Sequence, residues 1–252
     1  MIGTAIILAA GMGTRLAGEL DDRPKGFLKV GDRPIIEESI QRLVDAGIRE
    51  VVIVTGHHAE FYASLDADPG LSVHTIHNSR YADSGSMYSL YCARHAVNDA
   101  FLLLESDLIY EPRALTALLE CPADDAILLS GPTGAGDEVF VSTRDGNLAG
   151  MSKHADALGG DDAEITGELV GISKISRPLF RIMRRIAEQA FAGSLHFDYE
   201  TDCLVAAGTE RRIACPLVPD LVWSEIDDPA HLRRARDTVY PEIRRRVNAS
   251  GN

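Results

Sequence analysis

Short apolar runs alternate with longer amphipathic stretches along the first half of the chain. Four segments have the length and composition of strands, at residues 4–9, 50–55, 72–77 and 101–105, and the first and last of them read as buried. The stretches between them place apolar residues at helical spacing, at residues 35–46, 59–65 and 86–96. Gly47 ends the first of these helices, and Ser86 is suited to cap the last. Strands that alternate with helices predict an α/β fold with a mostly parallel sheet and helices on its faces.

The pattern changes at residue 126, where the strand-like segments become shorter and glycine turns separate them. Three such strands are predicted, at residues 127–130, 139–143 and 148–152. Short strands joined by tight turns are typical of antiparallel pairing, so we expect a small antiparallel insertion here. The remaining predicted elements are a loop at 160–162, strands at 169–173, 212–217 and 222–226, helices at 178–191 and 199–207, and a last helix with Asp228 as its cap and Pro229 at its first position.

The composition is that of an ordinary globular chain. Of the 252 residues, 45% are hydrophobic and 25% are charged, which is enough to bury a sizeable core. We find no repeat, low-complexity tract or flexible linker, so we expect one domain over residues 1–252. The change of pattern divides it into halves at 1–125 and 126–228, followed by a C-terminal helix at 229–247.

The net charge narrows the class of partner. A formal charge of −13 argues against nucleic acid and anionic membranes, because both favour a basic protein surface. No apolar run approaches about 18 residues, and the N-terminal segment lacks the features of a signal peptide. Four cysteines lie scattered without zinc-site or disulfide spacing, which favours reduced thiols and a cytoplasmic protein. The oligomeric state stays open, with a homodimer among the alternatives.

The first strand leads into a segment rich in small residues that ends with two cations. It reads Leu8-Ala9-Ala10-Gly11-Met12-Gly13-Thr14-Arg15, and Pro24-Lys25 follow. Small residues let backbone N–H groups approach a phosphate chain, and the cations supply the opposite charge. The dinucleotide fingerprint requires a third glycine where Leu16 stands, and the P-loop requires Gly-Lys-Ser/Thr, so neither motif is met. An ordinary glycine turn remains the alternative.

This segment resembles the signature of the sugar-phosphate nucleotidylyltransferase superfamily, and the similarity continues to about Tyr240. The resemblance implies a Rossmann-like three-layer αβα nucleotidyltransferase fold, with a mostly parallel mixed sheet and the antiparallel insertion on the substrate side. Residues 1–125 would then bind nucleotide and residues 126–228 the acceptor. It also implies that Lys25 and Arg15 bind phosphates and that the loop wraps the nucleotide through Leu8, Ala9, Ala10, Gly11, Gly13 and Thr14.

Acidic residues at two strand ends suggest a magnesium site. Asp107 follows a buried strand, where open α/β sheets place ligands, although an aspartate is also common in turns. The resemblance implies that this aspartate binds Mg²⁺. The segment Trp223-Ser224-Glu225-Ile226-Asp227-Asp228-Pro229 is similar to the family's C-terminal Trp-x-Asp/Glu-x-x-x-Pro element, whose acid completes the site. Glu225 fits that register best and Asp227 lies two residues on; both could instead favour the dipole of the last helix.

The segment at residues 78–90 narrows the resemblance to cytidylyltransferases acting on phosphocholine, 2-aminoethylphosphonate and inositol phosphate. At its helix start, Gly85 and Ser86 offer N–H groups and a hydroxyl to a base edge. A pyrimidine is therefore expected, but the residues do not distinguish cytosine from uracil. The segments 137–141, 151–153 and 168–171 look most like the phosphonate branch.

Acceptor recognition is expected in the second half. In related transferases a lysine in the position of Lys153 contacts the acceptor's phosphate, whereas a lone lysine after a strand is commonly a solvated surface residue. Glu168, Tyr199 and Glu200 combine carboxylates with an aromatic ring, which suits an amine or quaternary ammonium group. A solvated acidic face is the alternative for these residues.

The resemblance therefore implies an Mg²⁺-dependent enzyme that transfers CMP from CTP to a small phosphonate or phosphate monoester and releases pyrophosphate. An ionised phosphonate oxygen is already a nucleophile, so no general base is required. Two alternatives stay open: a transferase for a sugar or inositol phosphate, and a non-catalytic nucleotide-binding module.

Overall fold

The four apolar runs of the first half form one side of a sheet in the computed structural model, which describes residues 2–16, 18–65, 70–158 and 163–250. They are β1 (Thr4–Ala9), β2 (Glu50–Thr55), β3 (Ser72–His77) and β4 (Phe101–Glu105). β1 lies between β2 and β4, and β3 pairs with β2, all in parallel. β3 is largely exposed because it forms the edge of the sheet, whereas the other three strands are buried.

Seven further strands in the described residues extend this sheet, mostly in antiparallel pairing, or form a separate ribbon. The remaining strands are β5 (Leu108–Tyr110), β6 (Ala126–Ser130), β7 (Phe140–Arg144), β8 (Asn147–Ser152), β9 (Glu164–Ile175), β10 (Leu217–Val218) and β11 (Trp223–Glu225). The long strand β9 runs antiparallel to β4, β6 and β7, and β8 pairs with β7, so the order across the sheet is β10-β6-β9-β4-β1-β2-β3 with the β7–β8 hairpin on β9. β5 and β11 form a separate antiparallel ribbon.

Helices cover both faces of this sheet. They are α1 (Ile35–Asp45), α2 (Ala59–Ala63), α3 (Ser86–Cys92), α4 (Arg113–Glu120), α5 (Arg177–Ala190), α6 (Val205–Gly208), α7 (Pro229–Arg234) and α8 (Tyr240–Ser250). π-helical turns precede α6 and α8, at Tyr199–Leu204 and Ala235–Val239. No helix in the described residues has the length and apolar character needed to cross a membrane.

The alternation of side chains along the strands builds two cores. In β1, Ile6 packs in one cluster with residues of α3 and α5, while Ile7 packs on the opposite face with residues of α1 and α4. A third cluster holds the C-terminal helices against the segment that follows β1, through residues such as Ile226 and Leu16. These layers, together with the mixed sheet and its antiparallel hairpin, confirm the predicted three-layer αβα fold.

Three local predictions differ from the structure. The helix α4 was not expected, although the buried residues Ala114, Leu115 and Leu118 have helical spacing. The strand predicted at 212–217 is wrong over most of its length, because only Ala214 makes isolated bridges before β10 begins. Ser86 is not the cap of α3, since Gly85 holds that position. The loop predicted at 160–162 lies outside the described residues.

A buried aspartate ties the start of β6 to the start of α5. Asp125 is 2% exposed and accepts hydrogen bonds from the Ser176 backbone N–H (2.6 Å) and the Ser176 hydroxyl (3.0 Å). The Arg211 guanidinium also donates to it. Ser176 in turn caps α5 by accepting from the Leu179 N–H. One carboxylate therefore fixes a strand, a helix cap and the segment before β10.

We expect Asp125→Ala to lower the free energy of unfolding by about 2–3 kcal/mol, because it leaves a buried N–H and a half-buried guanidinium without their acceptor. Urea denaturation followed by circular dichroism measures this change. The matched control is Asp124→Ala, which removes an 82% exposed side chain and should cost less than about 1 kcal/mol. Equal losses in the two variants would contradict this role of Asp125.

Candidate active site

The segment after β1 turns sharply and brings Lys25 against it. Gly13 has φ 63°, and a Cβ at this position would lie 2.8 Å from Leu20 Cδ1 and 3.2 Å from Lys25 Cγ. A side chain here would be strained by the backbone and would push against the lysine stem. Gly11 lines the neighbouring cavity and has open space where a Cβ would be. The two glycines thus differ in their surroundings. Gly13 packs closely on Lys25, whereas Gly11 leaves the backbone open to the cavity.

The residues at the end of β1 have buried side chains and are held in place by backbone hydrogen bonds. Leu8, Ala9 and Ala10 are at most 7% exposed, and Thr14 begins a 3₁₀ turn on the surface. The Leu8 carbonyl accepts a hydrogen bond from the Ser106 N–H at 3.0 Å. The end of β1 is therefore fixed beside the end of β4, where Asp107 follows.

The β5–β11 ribbon brings the C-terminal acids to the same place. Glu225 pairs with Leu108 in this ribbon, and the Ile226 N–H donates to the Asp107 carbonyl at 3.2 Å. The register places Glu225 and Asp227 next to Asp107 although more than a hundred residues separate them in sequence. The predicted meeting of these three acids is what the structure shows.

Two cations neutralise this acidic set. Lys25 Nζ donates to Asp107 Oδ2 at 2.9 Å and also to Asp227 Oδ1. Arg15 Nη2 lies 2.6 Å from Asp227 Oδ2. Asp107 and Asp227 are 7% and 5% exposed, so both carboxylates are ion-paired in a largely dry environment. We call Arg15, Lys25, Asp107 and Asp227 the ion-pair cluster.

Burial and charge perturb the titration of this region. Burial by itself lowers the pKa of Lys25, but Asp107 and Asp227 outweigh it and the pKa rises well above its ordinary value. Burial likewise tends to raise the pKa of Asp227, and Lys25 and Arg15 reverse this and leave the pKa lowered. No ion pair of Glu225 is found among the described residues, and burial, followed by repulsion from Asp107 and Asp227, raises its pKa to about 9. Lys25 and Arg15 thus form ion pairs with the two aspartates, whereas the ionised form of Glu225 is disfavoured.

The acids have the chemistry of a magnesium site. One carboxylate oxygen from each of Asp107, Glu225 and Asp227 lies within 4.8 Å of the others. Asp107 Oδ1 is buried and has no hydrogen-bond partner in the described part of the chain. An orphaned carboxylate oxygen among two further carboxylates fits a hard divalent cation, which favours oxygen ligands. The residues present fit Mg²⁺.

A cavity of about 510 Å³ opens above the ion-pair cluster. Nine carboxylate residues and four cationic residues line it, so its walls are strongly acidic. The structure brings nine of the predicted site residues to its wall: Gly11, Arg15, Lys25, Asp107, Lys153, Glu168, Glu200, Glu225 and Asp227. Residues from both halves of the chain thus meet at one cavity.

The expected acceptor residues do not all face this cavity. Glu168 is 5% exposed and accepts from the Thr133 N–H at 2.9 Å. Glu200 lines the wall, and the Tyr199 hydroxyl donates to it at 2.7 Å. The Tyr199 ring is fully buried in the core, so the expectation that it meets a ligand is corrected. Its contact with the site is the hydrogen bond from its hydroxyl to Glu200.

The helix start at Gly85 and Ser86 also differs from expectation. The Gly85 N–H donates to the Leu195 carbonyl at 2.8 Å, and a Cβ on Gly85 would lie 2.6 Å from the Phe197 carbonyl oxygen. The Ser86 hydroxyl donates to Asp198 Oδ2 at 2.7 Å. These groups are engaged in joining α3 to residues 195–198, and neither residue lines the cavity. The glycine is required for close backbone packing.

Several lining residues were not assigned from the sequence. They include Glu105, Thr133 and Arg234. Glu105 lies two residues before Asp107 on β4, so its alternation with Asp107 was a usable signal. Arg234 stands among six arginines between residues 233 and 246, and no local pattern distinguishes it from its neighbours.

Comparison with known proteins gives the family. A model described as the MobA-like NTP transferase domain matches residues 5–163. The chain is 31% identical over 244 residues to the CMP-5'-(3-aminopropyl)phosphonate synthase of Streptomyces rubellomurinus, covering 92% of this chain and 38% of that protein. It is 29% identical over 202 residues to the 2-aminoethylphosphonate cytidylyltransferase of Lancefieldella rimae, covering 76% of this chain and 74% of that protein. The chain thus spans about two fifths of the length of the first relative.

A solved structure supports the same assignment at the level of the fold. The inositol-1-phosphate CTP transferase from T. maritima superposes with a TM-score of 0.74 at 18% identity, over 94% of this chain and 98% of that one. The likeness establishes a shared fold, and the family model covers more than half of the sequence. The resemblance first seen in the glycine segment is therefore confirmed, and the chain belongs to the MobA-like NTP transferase domain family.

Proposed function

We propose that this protein is a cytidylyltransferase that transfers CMP from CTP to a small phosphonate or phosphate monoester and releases pyrophosphate. The observation that carries the proposal is the ion-pair cluster, which lies beside the glycine segment at one wall of a cavity that reaches into the second half. A triphosphate and a second anionic reactant need such a site, in which cations bind the triphosphate and the rest of the cavity has space for the second reactant. The two phosphonate relatives support the choice of nucleotide and acceptor.

The chain's own residues account for the positioning of the nucleotide. The open approach at Gly11 admits the phosphate chain to backbone N–H groups. Lys25 neutralises the α-phosphate as charge builds, and Arg15, whose side chain is 59% exposed, binds the departing phosphates. Asp107, Glu225 and Asp227 would hold Mg²⁺, which supplies further positive charge to the phosphate oxygens.

The acceptor supplies the nucleophile. An ionised oxygen of the phosphonate attacks the α-phosphorus of CTP in line, and the bond from that phosphorus to the bridging oxygen of pyrophosphate breaks. The acceptor oxygen carries no proton, so no general base is needed. Lys153 is exposed, lines the cavity and makes no ion pair among the described residues, which leaves its ammonium available to orient the acceptor.

An amino group on the acceptor would suit the acidic part of the wall. Glu105 and Glu200 both line the cavity, and burial followed by mutual repulsion raises the pKa of Glu105. Burial and then Asp198 raise the pKa of Glu200 to about 8. A ligand ammonium placed here would stabilise the ionised carboxylates and be bound by them. The aminoalkylphosphonates named for the two relatives have such a group.

A grid of nucleotides and acceptors tests the proposal. CTP, UTP, GTP and ATP are each incubated with 2-aminoethylphosphonate, 3-aminopropylphosphonate, phosphocholine, inositol 1-phosphate and glucose 1-phosphate, with Mg²⁺, and pyrophosphate release is measured. We expect the highest rate with CTP and an aminoalkylphosphonate. A maximum with a sugar or inositol phosphate would replace the proposed acceptor, and nucleotide binding without release under any condition would indicate a non-catalytic module.

We expect Lys25→Ala to lower the rate of pyrophosphate release by about 10²-fold or more, because the variant lacks the cation that faces the reacting phosphate. Lys29→Ala is the matched control, since Lys29 is an exposed lysine four residues along the same segment. It should retain the wild-type rate. Both variants are checked by circular dichroism for folding. Equal activity of Lys25→Ala and wild type would exclude the role given to Lys25.

The raised pKa of Glu200 predicts how stability depends on pH. In the metal-free protein Glu200 keeps its proton up to about pH 8, whereas in the unfolded chain it ionises near its ordinary value of 4.5. The folded state binds more protons in this window, so its contribution to stability is full below pH 4.5 and is lost as the pH rises to about 8.

We therefore expect Glu200→Gln to be more stable than wild type at pH 8 by at least about 1 kcal/mol, and to lose less stability between pH 5 and pH 8. Urea denaturation in the presence of EDTA measures both quantities. Glu120→Gln, at the exposed end of α4, is the control and should follow the wild-type pH profile. If the free energy of unfolding of Glu200→Gln changes with pH in the same way as that of wild type, the raised pKa assigned to this buried carboxyl is contradicted.

A further inference from the structure

Arg234 is a cationic residue in the wall of the cavity, and it has no part in the reaction as proposed above. It is the last residue of α7, a helix that begins two residues after Asp227 and is capped by the Asp228 carboxylate. Its guanidinium is half-buried and lines the cavity. The sequence therefore places this arginine within one short helix of the acidic set.

The contacts of Arg234 leave its charge uncompensated by any direct ion pair. Nη1 donates to the Ser224 hydroxyl at 3.1 Å, and Nη2 donates to the Thr133 carbonyl at 3.2 Å. Both acceptors are neutral, and no carboxylate oxygen of the described residues lies within 4.0 Å of the guanidinium. By contrast, Lys25 and Arg15 are each paired with a carboxylate. Arg234 is thus a cavity-lining guanidinium with no direct carboxylate partner among the described residues, and Glu138 and Glu168 feel its charge only at longer range.

The position of Arg234 associates it with the second half of the chain. The carbonyl that it holds belongs to the turn at residues 131–138, which connects β6 and β7 and lines the cavity through Thr133, Ala135 and Asp137. On its other side, Ser224 lies in β11 next to Glu225. The guanidinium therefore bridges the acidic set and the antiparallel section, where the acceptor has to approach the nucleotide.

The same contacts orient the guanidinium. Gly134 and Gly136 have φ 63° and 101°, so the turn depends on glycine for its shape. Its backbone is anchored to α7 at two points, since the His231 Nε2 lies 3.3 Å from the Ala135 carbonyl and Arg234 binds the Thr133 carbonyl. A planar guanidinium held at two of its nitrogens keeps its remaining N–H groups in a fixed direction, which favours the fork-like binding of an anion.

We propose that Arg234 binds the anionic oxygens of the acceptor's phosphonate or phosphate group and so determines, together with Lys153, which acceptors the site accepts. The inference rests on the proposed function, because it assigns a residue to the second substrate of that reaction. Charge-assisted bonds from arginine to phosphate oxygens are the strong, directional kind, and a site that lacks one binds the anion more weakly.

Steady-state kinetics of Arg234→Gln test the proposal. Glutamine keeps a hydrogen-bond donor on a shorter side chain but removes the charge. We expect the KM for the acceptor to rise roughly 10- to 100-fold, while the KM for CTP changes less than about 3-fold. Arg234→Lys keeps the charge without the planar fork and should recover part of the loss. Arg233→Gln, the exposed neighbour on the same helix, is the matched control and should retain both wild-type KM values.

A role confined to holding the turn gives a different result. In that case Arg234→Gln would raise the two KM values equally or leave both unchanged, and either outcome overturns the proposal. If Arg234→Gln fails to fold, as judged by circular dichroism, the acceptor KM of Arg234→Lys decides, and an unchanged value overturns it.

Direct binding separates this proposal from the proposed function. Calorimetry measures the affinity of wild type and Arg234→Gln for 2-aminoethylphosphonate, with and without CTP. If wild type releases no pyrophosphate in any condition, the proposed function fails, but phosphonate binding that Arg234→Gln loses still supports the anion site. Absence of phosphonate binding to wild type, or equal binding by the variant, overturns it.

Discussion

The contact of Lys25 with Asp107 and Asp227 is the interaction on which the architecture of the site depends. It joins the segment after β1, the end of β4 and the end of β11, three parts of the chain that are far apart in sequence. Removing one partner from such a buried set leaves a charge without compensation, which is costly in a dry environment. The surrounding structure serves this contact: Gly13 makes room for the lysine stem, and the β5–β11 ribbon sets the register of the acids.

The charges of the cavity are divided between its two sides. On the proposed nucleotide side, Lys25 and Arg15 are ion-paired with carboxylates. On the proposed acceptor side, repulsion from Glu200 adds to burial in raising the pKa of Glu105, and Arg234 donates hydrogen bonds to the Ser224 hydroxyl and the Thr133 carbonyl. This distribution of charge supports the proposal of a nucleotide bound with a divalent cation and of an acceptor that carries both an anionic and a cationic end.

Sequence reasoning predicted best where local pattern and position in the fold agree. The strand β1, the glycines after it and the acid after β4 follow from the rule that open sheets bind ligands at the carboxyl ends of their strands. The meeting of Glu225 and Asp227 with Asp107 required the family resemblance, because no local pattern encodes a ribbon between residues 108–110 and 223–225. Their individual roles remain predictions.

The misplaced residues share a physical cause. Tyr199 was expected at the ligand because an aromatic ring beside carboxylates suits an ammonium, but a π-helical turn directs the ring into the core and only its hydroxyl reaches Glu200. Gly85 and Ser86 were expected to offer free polar groups, yet residues 195–198 pack against them. Arg234 was not recognised since its importance comes from two tertiary contacts. In each case the tertiary partner, which the sequence does not reveal, decides which atoms face the cavity.

The central claim is that both reactants meet above the ion-pair cluster and that a phosphonate oxygen becomes joined to the α-phosphorus of CTP. Phosphorus NMR of CTP, 2-aminoethylphosphonate, Mg²⁺ and the protein tests this most directly, because it reports which bond has formed. We expect a coupled pair of new signals, one from the phosphonate and one from the CMP phosphorus, to appear together with pyrophosphate in equal amounts. An unchanged phosphonate signal, while the same protein converts inositol phosphate or glucose phosphate into a nucleotide-linked product, would contradict the claim.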